Sequence, residues 1–142
     1  MPLFEVRVAA TLPDRMRDRL RHVLAREMSA LMGVESRFVA VIFRRFDESE
    51  TLSALPCAVV YLSAGRPADF RRAVLRFTAD ALCTCTGCAP KQATVIIQEL
   101  RLGSVAVGGR IVNRNGPAAE AVIRAEKQES KGKEVHYAIH QG

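Results

Sequence analysis

Residues 56–67 read PCAVVYLSAGRP, and residues 2–13 read PLFEVRVAATLP. The two stretches lie 54 positions apart, and at that offset Pro2 falls on Pro56, Val6 on Val60, Ala10 on Ala64 and Pro13 on Pro67. The match continues without a gap: Arg17 meets Arg71, Ala25 meets Ala79, Gly33 meets Gly87, Val41 meets Val95 and Ile42 meets Ile96. Few residues are shared, but several are prolines and glycines, which sit where backbone geometry restricts the choice of residue. The chain therefore reads as an internal tandem duplication.

Each copy has the pattern of a β-α-β unit. In the first, Phe4, Val6 and Val8 alternate with Glu5 and Arg7, the period of a half-buried strand. Pro13 suits a first helical position, Met16, Leu20, Val23, Leu24, Glu27 and Leu31 follow the helical period, and Gly33 supplies the stop. RFVAVIFRR, residues 37–45, is rich in β-branched and aromatic residues and reads as a second strand. The offset predicts a second strand–helix–strand set at about 57–63, 67–86 and 93–99, with Phe70, Val74, Phe77, Ala81 and Cys85 inward.

Units 2–46 and 56–100, a glycine-containing hairpin at 103–112 and a tail at 113–142 are expected to form one domain. The predicted fold is α/β: four strands in one sheet, both helices on one face, and a pseudo-twofold relation between the units. CAVVYL and ATVIIQEL are apolar on both faces, so the uncovered face of the sheet calls for a partner copy. Pro117 suits the start of a short helix ending near Gln128.

The whole chain has 142 residues, 49% of them hydrophobic, with no tryptophan and no apolar run of the roughly 18 residues that would span a bilayer. A cytoplasmic setting with reduced thiols is expected, because residues 1–10 lack the features of a secretory leader. The net charge of +6 does not read as a nucleic-acid footprint. Arg15, Arg17, Arg19, Arg21 and Arg26 are interspersed with Asp14, Asp18 and Glu27, the pattern of a solvated helix face, and no recognition motif accompanies them. An anionic small molecule suits the same charge. CTCTGC, residues 83–88, places Cys83 and Cys85 on different sides of a helix, which does not match the paired spacing of structural zinc ligands. The cysteines read as small buried residues, and neither a metal nor a cofactor is expected. His22, His136 and His140 have no neighbours that compose a nucleophilic triad.

A start MP leading into a strand, two tandem β-α-β units, the turn SAGRPADF and the late stretch VAVGGRIV together resemble the tautomerase superfamily over residues 2 to 112. The similarity is to the double-unit branches, which include fused 4-oxalocrotonate tautomerase, macrophage migration inhibitory factor, malonate semialdehyde decarboxylase and cis-3-chloroacrylic acid dehalogenase. The resemblance implies trimeric or hexameric assembly, here a homotrimer, and an amino-terminal proline as the catalytic residue. Removal of Met1 makes Pro2 that terminus. Its secondary amine, buried in an apolar pocket beside arginines, loses the protonated form and becomes a general base at neutral pH. Arg66, in the turn before Pro67, is the implied carboxylate ligand, since a guanidinium matches a carboxylate with two prongs. The resemblance also places Val105 or Val107 in the pocket lining and offers Arg110 as a second cation; Arg44 and Arg45, at the end of the first unit's second strand, are further candidates.

Departures narrow the reading. Leu12 stands in the first unit where single-unit members carry an arginine, and the internal Pro56 has an amide nitrogen without basicity. Ser63 and Val107 occupy positions where the dehalogenases carry an arginine and a glutamate, which disfavours hydrolytic dehalogenation. Glu35 is in the vicinity of the decarboxylase's acidic partner without matching it. The expected activity is thus a cofactor-independent keto–enol isomerase acting on a small 2-oxo or 2-hydroxy-enoate acid. The alternatives are a decarboxylase or hydratase of a related acid, or a non-catalytic binding protein on the same scaffold.

Overall fold

The structure is a computed structural model that describes residues 2–46 and 55–111. The chain runs as strand β1 (Leu3–Ala9), helix α1 (Asp14–Met32), a 3-10 turn (Ser36–Phe38) and strand β2 (Ala40–Phe46). The same order returns as β3 (Cys57–Ser63), α2 (Ala68–Thr86), a 3-10 turn (Pro90–Gln92) and β4 (Thr94–Leu100), before the short hairpin β5 (Ala106–Val107) and β6 (Arg110–Ile111). Leu3 to Cys57, Asp14 to Ala68, Ser36 to Pro90 and Ala40 to Thr94 are each separated by 54 positions, so every element in the second unit begins where the offset puts it.

The sheet order is β2-β1-β3-β4, with parallel pairs β1–β2 and β3–β4 and an antiparallel central pair β1–β3. In that central pair Glu5 lies opposite Val59, which is its own equivalent in the second unit (5 plus 54). A pseudo-twofold axis therefore passes between Glu5 and Val59. It exchanges the two ends of the sheet.

Alternation decides the faces. Phe4, Val6 and Val8 of β1 and Ala58, Val60 and Leu62 of β3 are buried under the helices. They meet Leu20, Leu24, Met28 and Met32 of α1 and Val74, Ala81, Leu82 and Cys85 of α2 in one core. The Phe4 and Phe77 rings meet at 6.2 Å between centroids, tilted by 54°, joining the first unit's strand to the second unit's helix. Each such large apolar side chain contributes about 1.5–3 kcal/mol on full burial.

The structure revises some boundaries. The second strand starts at Ala40 rather than residue 37, because Ser36–Phe38 make a 3-10 turn that ends at extended Val39. β4 likewise runs from Thr94 to Leu100, and Pro13 and Pro67 stand at the N-caps of α1 and α2 rather than inside them. Leu31 is 38% exposed, since the buried stripe of α1 is Arg17, Leu20, Leu24, Met28 and Met32. On a straight helix that stripe keeps the four-residue step that Leu31 leaves. Phe70 and Phe77 are half-buried at the margin of the core rather than inside it. Val112, the tail at 113–142 and the helix start at Pro117 lie outside the described residues.

Candidate active site at the Pro2 end of the sheet

Pro2 is buried, and its carbonyl accepts a hydrogen bond from the Ala40 N–H at 3.0 Å, which fixes the proline beside the start of β2. A proline is tolerated here because its missing N–H precedes the first paired residue of the strand. The register then determines its other neighbours. Leu3 lies opposite Tyr61, so the beginning of β1 runs beside the end of β3, from which the chain turns through Ala64, Gly65 and Arg66 into α2.

That turn is held from two sides. The Ala64 N–H donates to the Leu100 carbonyl at 2.7 Å, tying it to the end of β4. Gly65 has φ 89°, a left-handed conformation that favours glycine. Arg66 follows, only 8% exposed, with its guanidinium carbon 4.8 Å from the centre of the Phe70 ring one helical turn on. A guanidinium taken out of water and stacked on an aromatic face keeps its charge, and a cation–π contact of this kind contributes about 0.5–2 kcal/mol.

Pro2 and Arg66 thus occupy the same end of the sheet. Val105 is half-buried on the approach to β5, and Arg110 is exposed in β6, opposite Val107 across the Gly108–Gly109 turn. The hairpin follows β4 at this end, but β5 and β6 pair with each other and not with the four-stranded sheet. Arg44 and Arg45 go elsewhere: Arg44 lies 3.4 Å from Glu5 on the open face, and Arg45 lies 3.5 Å from Asp14. Glu35 pairs with Arg37 at 2.7 Å.

Phe70 is the residue that sequence reasoning placed in the core and not in the site. The signal was present, because Arg66 and Phe70 are four positions apart and the chain is helical from Ala68. Tyr61, opposite Leu3 in the register, places its hydroxyl 3.5 Å from Glu5 on the face away from the helices. Glu5 also meets Arg7 at 3.3 Å, making a compact polar group on the axis.

The opposite end carries the symmetry-related groups. Pro56 is buried there, its carbonyl accepting from the Thr94 N–H at 3.3 Å, and Leu12 stands in the turn where the other unit has Arg66. A cavity of about 370 Å³ opens at this end, lined mainly by Val8, Leu12, Pro13, Leu55, Pro56 and Cys88. None of the described residues that line it is a cation.

Among the described residues no three His, Cys, Asp or Glu side chains come together in a metal-holding group, and no helix is long and apolar enough to cross a membrane. His22 lies exposed on α1, its Nδ1 2.6 Å from the Asp18 carbonyl oxygen; His136 and His140 are outside the described residues.

Several solved structures share this architecture. A fused 4-OT wild type asymmetric trimer superposes with a TM-score of 0.72 at 16% identity, over 77% of this chain and 94% of that one. A member of the cis-3-chloroacrylic acid dehalogenase family gives 0.72 at 15% identity, over 94% and 98% of the two chains. A malonate semialdehyde decarboxylase inhibited by 3-bromopropiolate gives 0.64 at 14% identity, over 75% and 88%. No protein-family model and no curated protein matches the sequence.

Proposed function

We propose, from the tautomerase fold that the chain shares with these structures, that it is a cofactor-independent isomerase of the tautomerase superfamily. It moves a proton within a small 2-oxo or 2-hydroxy-enoate acid. The observation that carries the reading is the convergence of a buried Pro2 and a buried Arg66 at one end of the sheet, set by the Leu3–Tyr61 register and the Ala64–Gly65–Arg66 turn.

The mechanism follows from those two groups. Once Met1 is removed, Pro2 is a secondary amine at the head of β1. Desolvation there and the Arg66 charge nearby both disfavour its protonated form, leaving a lone pair to accept a proton at neutral pH. Arg66 grips the substrate carboxylate, and the fixed grip holds the enol with its hydroxyl proton or acidic carbon toward the nitrogen. Pro2 takes the proton from one atom and returns it to the other, so nothing is lost and no cofactor is required.

The trimer of the fused 4-OT neighbours and the uncovered face of this sheet support a homotrimer. Of the remaining candidates, Arg110 supplies a second cation and Val105 an apolar wall.

The test is the ketonisation rate of phenylenolpyruvate across pH, for the wild-type chain and Pro2→Ala, after intact mass has shown that Met1 is gone. Catalysis that depends on Pro2 and rises through an apparent pKa well below that of an ordinary secondary amine is the expected result. Equal inertness of the two mature forms would indicate a scaffold used for binding or for another reaction.

A further inference from the structure

The end of α2 carries two thiols that this chemistry does not use. Gly87, with φ 78°, folds the chain back after Thr86, and its N–H donates to the Cys83 carbonyl at 2.9 Å. The return brings Cys88 onto Cys83, with their sulfurs 3.7 Å apart. A left-handed cap of this kind regularly sets the residue after the glycine against the one four positions before it. The first unit has the same cap at Gly33, with φ 67° and its N–H on the Ser29 carbonyl, but the corresponding side chains are Ser29 and Val34. The backbone geometry thus belongs to the repeat, and the thiols belong to the second unit alone.

Both sulfurs are in half-buried residues, whereas Cys85 between them is 3% exposed in the core and Cys57 sits on β3. A disulfide bond is about 2.05 Å long, so closure asks the two sulfurs to approach by roughly 1.7 Å, a change that side-chain torsions deliver.

We propose that Cys83 and Cys88 form a reversible disulfide, made and broken by exchange with a small-molecule disulfide of the glutathione type. Burial and the contact with Cys88 push the Cys83 thiol up. Either thiol starts the exchange: its thiolate bonds to one sulfur of oxidised glutathione and expels glutathione thiolate. The other cysteine's thiolate then bonds to the protein sulfur of that mixed disulfide and expels the second glutathione. Two protein thiols are oxidised, one glutathione disulfide is reduced, and the two thiol protons pass through water to the two expelled glutathione thiolates, which become thiols. The bridge joins the last turn of α2 to the segment that, through Thr86, Gly87 and Cys88, borders the cavity at the Pro56 end. It is independent of the reaction at Pro2, which lies at the other end of the sheet.

The test incubates fully reduced protein with oxidised glutathione without oxygen, blocks the remaining thiols by alkylation and reads intact mass and a peptide map. Expected are the loss of the mass of two hydrogens, a fall in thiol titre under denaturing conditions from the four present in the sequence to two, a Cys83–Cys88 linked peptide, and full reversal by dithiothreitol. Cys83→Ser and Cys88→Ser are each expected to stop at one stable glutathione adduct on the remaining partner; Ser29 shows that the cap accepts serine at the first position. The proposal is overturned if the wild-type chain stops at an adduct as the variants do, keeps all its thiols, or bridges through Cys57 or Cys85.

Discussion

In the proposed mechanism Arg66 has two uses from one placement, holding the substrate carboxylate and disfavouring the protonated Pro2 amine. At 8% exposure its guanidinium has little water to compete for it, so a carboxylate that reaches it makes a charge-assisted pair stronger than a surface pair. Removing one such hydrogen-bonded charge contact costs about 1.5–3 kcal/mol, which corresponds to roughly a 10- to 100-fold fall in kcat/KM. Steady-state kinetics of Arg66→Ala on phenylenolpyruvate are expected to show that loss chiefly as a higher KM, with Arg66→Lys recovering only part of it, because an ammonium is a point charge without the planar fork. An unchanged KM in Arg66→Ala would remove Arg66 from the site. The position of Arg66 was legible from AGR ahead of Pro67, and that of Pro2 from its place at the head of a strand. The stacking of Arg66 on Phe70 was not, because a spacing of four residues permits the contact without saying whether the arginine folds back over the ring or reaches into water.

At the scale of elements, the sequence was most readable where backbone geometry permits few residues. Gly33 and Gly87 mark the ends of α1 and α2 in left-handed conformations, and Pro13 and Pro67 mark their starts. It was least readable where a choice depends on tertiary fit. Met32 and not Leu31 enters the core, and Arg37 and Phe38 belong to a 3-10 turn despite an apolar run that reads as strand. Propensity could not separate these cases, since both alternatives have suitable residues and only the facing layer decides. The glycine caps permit a clean stability test. A Cβ built on Gly87 meets nothing within 4 Å, so Gly87→Ala is penalised by its left-handed backbone alone. The expected loss is about 1–2 kcal/mol, seen in urea unfolding as a lower midpoint with an unchanged slope. A midpoint equal to that of the wild-type chain would mean that the cap relaxes without cost.

At the scale of the molecule, the axis between Glu5 and Val59 gives two related ends that the sequence has furnished differently: Pro2 and Arg66 at one, Pro56 and Leu12 at the other. The duplication made this architecture visible from the sequence, while the cavity at the Pro56 end depends on how loops and caps meet and was not visible. The face of the sheet away from the helices exposes Ile42 at 40% and Ile96 at 50%, around the polar group of Glu5, Arg7 and Arg44. A homotrimer built on this face predicts that Ile42→Glu with Ile96→Glu shifts sedimentation from trimer to monomer, since each new carboxylate must leave water to be buried. Trimers that persist in the double variant would place the interface elsewhere.

The most direct measurement of the central claim is a titration of the Pro2 nitrogen itself by 15N NMR, in protein labelled at proline and shown by mass to begin at Pro2. The account predicts that the amine titrates near neutrality, and that Arg66→Ala moves its pKa upward by removing a neighbouring positive charge. An amine that titrates in the ordinary range of a secondary amine, and does not respond to Arg66→Ala, would contradict the assignment of Pro2 as the general base.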